Sequence, residues 1–300
     1  MIKILIFENK AMQSTVLYVV LSIMVFSVSL DLKIADFRYV AKHPKAVVAG
    51  LIAQFVLLPW ATLGLTLWLD LPPAIEAAML LVACCPGGAL SNVVTYFGRG
   101  NLALSLSISA ISNVVALLAT PLNFAQLITL NPETARWVKS INLSPLDLIV
   151  SLLLLLALPM GLAVLTQRYQ PLVARKIRKP LENLALAALL LFIVGAIAGQ
   201  WAVFVKELSR TLPIVILHNG IGLLLGYIAA RVGTLAVPDQ RAVIIESGMQ
   251  NSGLALGIIA AQFYSDLGMV SVAGLWGVWH IVSGGLLALF WRRTSKVGAA

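Results

Sequence analysis

The stretch VIIESGMQNSGLALGIIAAQFY, residues 243–264, is long and apolar enough to cross a bilayer, yet it carries the polar octet Glu246-Ser247-Gly248-Met249-Gln250-Asn251-Ser252-Gly253. About 20 apolar residues suffice for one helical crossing. A carboxylate, two amides and two hydroxyls are costly to hold in hydrocarbon unless they face each other, a cavity or a bound ion. The octet therefore marks a functional site inside a membrane segment.

The rest of the chain supports a lipid setting. It is 60% hydrophobic and 11% charged, against about 45–50% and about 25% in soluble domains, so the composition predicts an all-α integral membrane protein. The net charge of +9 does not point to nucleic acid, because the basic residues sit between apolar runs and form no aromatic-interleaved patch. Cys84 and Cys85 are adjacent within one run and read as small packing residues; no cluster of His or Cys suggests a structural metal.

Nine apolar runs fall at about 13–30, 46–69, 74–97, 102–128, 146–165, 181–203, 212–230, 243–264 and 270–291. All 21 Lys and Arg residues lie outside them, fifteen on one side of the membrane and six on the other. Cytoplasmic loops are enriched in Lys and Arg. The bias predicts a multi-pass protein of the cell (inner) membrane with its N-terminus outside and its C-terminus cytoplasmic.

Two runs contain helix breakers. Pro86-Gly87-Gly88 interrupts the third, with Ser91-Asn92 one turn on, and Gly248 and Gly253 flank the polar positions of the eighth. Pro removes a backbone donor and Gly weakens a helix by about 1 kcal/mol relative to Ala. Each run is expected to form two half-helices around an unwound joint. The broken runs occupy corresponding places in two halves of opposite orientation, runs 1–4 against runs 6–9, which is the pattern of an inverted-topology repeat with its binding site at the breaks.

Gln54, a lone amide in the second run, is open between interhelical glue and ligand, while Ser105, Ser109 and Ser112 share one face of the fourth. With Ser91, Asn92 and Glu246 they offer hard oxygen donors suited to a cation such as Na⁺. Glu76, Asp147 and Glu182 lie near run ends and read as interfacial, the last two also as helix N-terminal residues. His280 and the pair His218-Asn219 are open between proton relay and substrate contact, and for His218 a structural hydrogen bond stands beside these. Trp201, Trp279 and Trp291 read as interfacial anchors or cavity wall.

Taken together, Cys84-Cys85-Pro86-Gly87-Gly88, Ser91-Asn92, the octet from Glu246 to Gly253 and Trp279-His280 resemble the bile acid:sodium symporter family, in the nine-span form of its bacterial members. The resemblance runs from about Thr15 to the last apolar run. It implies one transmembrane transporter domain over 1–300, with a core (about 46–128 and 212–291) of crossed broken helices rocking against a panel (about 13–30, 146–165 and 181–203). It also implies two Na⁺ sites: one from Ser91, Asn92, Ser105, Ser109 and Glu246, the other from Gln54, Gln250 and Glu246 with backbone carbonyls at Ser247 and Met249. Asn251 and His280 fall at substrate-contact positions, and Pro86, Gly87, Gly88, Gly248 and Gly253 at the breaks. Ala89 and Ile281 depart from more polar residues found in relatives.

The expected activity is import of an organic anion, bile-acid-like or a small carboxylate such as pantoate, driven by sodium and requiring no obligatory protein partner. Two other readings stand beside it. A proton-coupled carrier would use Glu246 and His280, and a membrane sensor would bind ligand without flux. An enzyme is not expected, since Ser91 has no base beside it in the pattern.

Overall fold

The computed structural model describes residues 10–30, 44–88, 90–199 and 201–294, and among these it is helical with no strand, apart from one isolated β-bridge. In chain order the helices are α1 (Lys10–Ser29), α2 (Pro44–Trp68), α3 (Pro73–Cys84), α4 (Leu90–Phe97), α5 (Leu102–Leu130), α6 (Pro132–Ser140) and α7 (Pro145–Tyr169). They continue with α8 (Pro171–Gly199), α9 (Trp201–Val232), α10 (Val237–Gly248), α11 (Ser252–Gln262) and α12 (Leu267–Thr294).

Each apolar run is helical over most of its described length; the third and eighth are split into α3/α4 and α10/α11, and the sixth extends from α8 into the start of α9. Five segments, Pro44–Trp68, Leu102–Leu130, Pro145–Tyr169, Leu208–Val232 and Leu267–Thr294, are each long and apolar enough to cross a membrane. Many of their large side chains point outward, as Leu154 and Leu158 do on α7. A helix that is apolar on every side suits lipid on one face and protein on the other.

Local chemistry sets the ends. Asn101 accepts a hydrogen bond from the backbone N–H of Leu104 at the start of α5. Ser144 and Asp147 form a reciprocal capping box at the start of α7, which satisfies backbone donors that the first turn leaves free. The sequence pattern left three connections shorter of helix than they are. Residues 129–145 contain α6, while most of 166–180 and all of 204–211 are helical. Polar composition hid these turns, because helix that continues past an apolar run, or lies outside one as α6 does, carries no apolar run to mark it.

Helix α1 packs on α7, α8 and α11, while α9 packs on α10 and α12, and α3 on α2, α5 and α12. The large core cluster gathers around α3, whose residues Ile75–Cys84 are all buried. Glu76 is among them, fully buried, with Oε2 accepting a hydrogen bond from Asn131 Nδ2 at 2.9 Å. Glu76 sits in the first turn of α3, at the start of its run, and the Asn131 turn supplies its hydrogen-bond donor. The helix N-terminal reading of Glu182 is corrected, for α8 begins at Pro171 and Glu182 lies well inside it. Asp147 does sit in the first turn of its helix.

Candidate functional site at the helix crossing

Helix α3 stops at Cys84 because Pro86 has no backbone N–H and biases the preceding residue toward extended geometry. Cys85 has φ −74° and ψ 156° accordingly. On the other side of the crossing, α10 ends at Gly248, and Asn251 caps α11 by accepting the N–H of Leu254 at 2.9 Å. The break is thus Met249-Gln250-Asn251. Gly253 lies inside the first turn of α11, which corrects its placement in the unwound joint.

The two joints pair with each other. Gly88 N donates to Met249 O and Asn251 N donates to Pro86 O, both at 2.8 Å, forming an antiparallel bridge between Gly87 and Gln250. Backbone groups freed by the breaks are costly in a dry interior unless satisfied, and here each joint satisfies the other. Glycine is needed for proximity. A Cβ at Gly87 would collide with the Glu246 carboxylate, and one at Gly88 would lie 3.1 Å from Gln250 O. Likewise a Cβ at Gly248 would strike Leu223.

Glu246 is 1% exposed. Its Oε2 accepts from Ser91 Oγ at 2.6 Å and Ser105 Oγ at 3.4 Å, and its Oε1 accepts from Ser109 Oγ at 2.6 Å. Asn92 joins through Ser109, with Nδ2 donating to Ser109 Oγ at 3.3 Å. Ser112 turns instead to the Ser109 carbonyl. Three hydroxyls from α4 and α5 thus meet one carboxylate from α10. Each hydroxyl keeps lone pairs that rotation of its proton can present to a cation.

A second cluster gathers around Gln54 and Gln250. Gln54 sits in a π-helical turn of α2, Ala53–Leu57, the kind of local bulge that re-aims a side chain. Its Nε2 donates to Cys85 O at 2.7 Å and contacts Gln250 Oε1, while its Oε1 is buried without a hydrogen-bond partner. Gln250 Nε2 donates to Ser247 O at 2.8 Å, and Ser247 Oγ is another buried atom without a partner. Orphaned buried acceptors beside converging carbonyls are unfavourable alone and suit a hard cation.

A cavity of about 730 Å³ opens beside the crossing. Asn251, His280 and Ile281 line it, together with Gly87, Gly88 and Gln250. His280 and Ile281 thus share the wall with the crossing, and Ala89 lies outside the described residues. Arg178 and Glu182 of α8 complete a charged part of the wall.

Sequence reasoning missed several supports. Asn219 Nδ2 donates to Gly248 O at 2.7 Å, tying the end of α10 to α9. Thr120 donates to Cys84 O at 2.6 Å, and Asn123 to Phe55 O at 2.7 Å. Their partners are backbone carbonyls distant in sequence, so no local pattern announces them. His218 is fully buried, with Nε2 2.7 Å from Thr62 Oγ1 and its ring 4.5 Å from that of Trp276.

Residues 18–207 match the Sodium Bile acid symporter family. The chain belongs to that family. It is 34% identical over 283 residues, 94% of its own length and 85% of the relative, to a sodium-dependent transporter of Bacillus subtilis (strain 168). It is 33% identical to a probable chloroplastic sodium/metabolite cotransporter, BASS1, of Arabidopsis thaliana, over 92% of this chain and 66% of that one. The human ileal sodium/bile acid cotransporter is 30% identical over 83% of this chain and 70% of its own. The symporter-family chain is accordingly a membrane-embedded, multi-pass transporter, not an enzyme.

Proposed function

We propose that the protein is a sodium-coupled symporter that imports an organic anion by alternating access, with two Na⁺ sites at the crossing. The observation that carries this reading is Glu246, a buried carboxylate that receives hydroxyls from Ser91, Ser105 and Ser109 and sits against Gly87 of the opposite joint. The first ion would be held by Glu246, Ser91, Asn92, Ser105 and Ser109. The second would use Gln54, Gln250 and Glu246 with the carbonyls of Ser247 and Met249, and the unpartnered Gln54 Oε1 supports it. Glu246, common to both, would link their occupancy.

The cavity beside Asn251 and His280 would hold the anion, in the class of bile acids or small carboxylates. In this reading the chain has nine spans in an inverted repeat, the N-terminus outside and the C-terminus in the cytoplasm of the inner membrane. The close packing of α1 with α7 and α8 supports their moving together as the panel. Sodium drives transport only if it binds one conformational ensemble better than the other. Because Gly88 N and Asn251 N already bridge the joints, ions that fill both clusters would rigidify the crossing and stabilise a substrate-competent cavity.

The proton-coupled alternative fits less well, because among the described hydrogen bonds none joins His280 to Glu246. The experiment is a thermal-shift screen of organic anions on purified protein with sodium and with choline. A ligand that binds only the native state raises apparent stability by mass action. An anion that stabilises only in sodium supports symport. Stabilisation indifferent to sodium, with uptake that follows a proton gradient, overturns it.

A further inference from the structure

We infer that Glu182 makes the cavity selective for organic acids that also carry an ammonium group, an inference that rests on the organic-acid reading above. Among the described residues that line the cavity, Arg178 and Glu182 are the two with a formal charge, apart from the imidazole of His280. They stand four residues apart on α8, so they leave one face of the helix with Cβ atoms roughly 5–6 Å apart. A guanidinium and a carboxylate one turn apart present a dipole to the cavity.

Glu182 Oε2 is buried and accepts no hydrogen bond. A carboxylate oxygen withdrawn from water without a donor is unfavourable, and a ligand that brings a donor relieves it. A plain carboxylic acid brings none. It places a second negative charge near Glu182, and Arg178 alone favours it. An α-amino acid supplies both groups, its carboxylate toward Arg178 and its ammonium toward Glu182, at the short spacing that two side chains one turn apart can span. Leu186, Leu189 and Leu190 continue the same wall beyond the charged pair, leaving an apolar surface for the cargo's body.

A site built to bond a substrate's polar group rejects the analogue lacking it far more strongly than a hydrophobic pocket separates two sizes. Matched trios test this: 3-methylbutanoate, 2-hydroxy-3-methylbutanoate and valine, then 3-phenylpropanoate, 3-phenyllactate and phenylalanine. Affinities are measured by calorimetry or thermal shift in saturating sodium. The expected result in the wild-type protein is that the amino member of a trio binds at least about tenfold more tightly than the plain acid, with the hydroxy member between them. In Glu182→Gln the advantage of the amine falls to about twofold or less, while the thermal shift produced by sodium alone stays at its wild-type value.

Equal affinity for the plain acid and the amine in the wild-type protein overturns the inference, without needing any variant to fold. So does an unchanged ratio in Glu182→Gln. Sodium-dependent binding of the plain acids without discrimination leaves the organic-acid reading standing and removes only this inference. Failure of all six compounds in sodium removes both.

Discussion

Replacing Gly87 by Ala puts one methyl group where the Glu246 carboxylate lies. The built Cβ would be 2.9 Å from Glu246 Cδ and 3.4 Å from Cγ, and closer still to Oε1. Overpacking of this kind costs about 1–3 kcal/mol, and the joint cannot simply retreat, because Gly88 N and Asn251 N anchor it to the opposite backbone. The carboxylate is the group that yields, losing its alignment with Ser91 or Ser109. Hydrogen bonds to charged groups are worth about 1.5–3 kcal/mol, so sodium affinity should fall roughly 10- to 150-fold. The assay is the sodium dependence of apparent Tm in detergent, with Gly64→Ala as control, since a Cβ there meets nothing within 4 Å. A Gly87→Ala protein with the wild-type sodium midpoint would refute the reasoning.

Three further outcomes follow from the same geometry. Gln54→Leu removes the orphaned Oε1 and the Nε2 donor to Cys85 O, so the Hill coefficient for sodium should fall to 1, read by binding titration. Asn219→Leu leaves the Gly248 carbonyl without its donor, which should lower stability by about 1–3 kcal/mol in reversible unfolding or lower the apparent Tm. Ser144→Ala deletes the capping box of α7, at about 1 kcal/mol, and should leave sodium affinity unchanged.

How much of this was legible depended on whether a residue's partner lay nearby in sequence. Pro86-Gly87-Gly88 and the octet at Glu246 stand out because breakers and polar groups are conspicuous inside apolar runs, and both breaks are where the pattern put them. Ser105 and Ser109 could be grouped with Glu246 because they share a helical face. Gly87's closeness to the carboxylate could not be read, since Gly87 and Glu246 lie 159 residues apart in the chain and meet only where the two joints cross.

The burial of Glu76 depends likewise on Asn131, and the clamp on Gly248 depends on Asn219. Helix α6 escaped because its polar turn resembles a loop. Glu182 was misplaced for a different reason: α8 starts in a basic, polar segment at Pro171, ahead of the apolar run that marked its beginning in the sequence.

The central claim is that sodium binds at the crossing through Glu246 and Gln250, and equilibrium binding of ²²Na⁺ to purified protein tests it most directly. The account predicts two ions per wild-type chain and loss of binding when Glu246→Ala and Gln250→Ala are combined. Wild-type affinity retained by that double variant, in protein whose far-UV spectrum is unchanged, would contradict it.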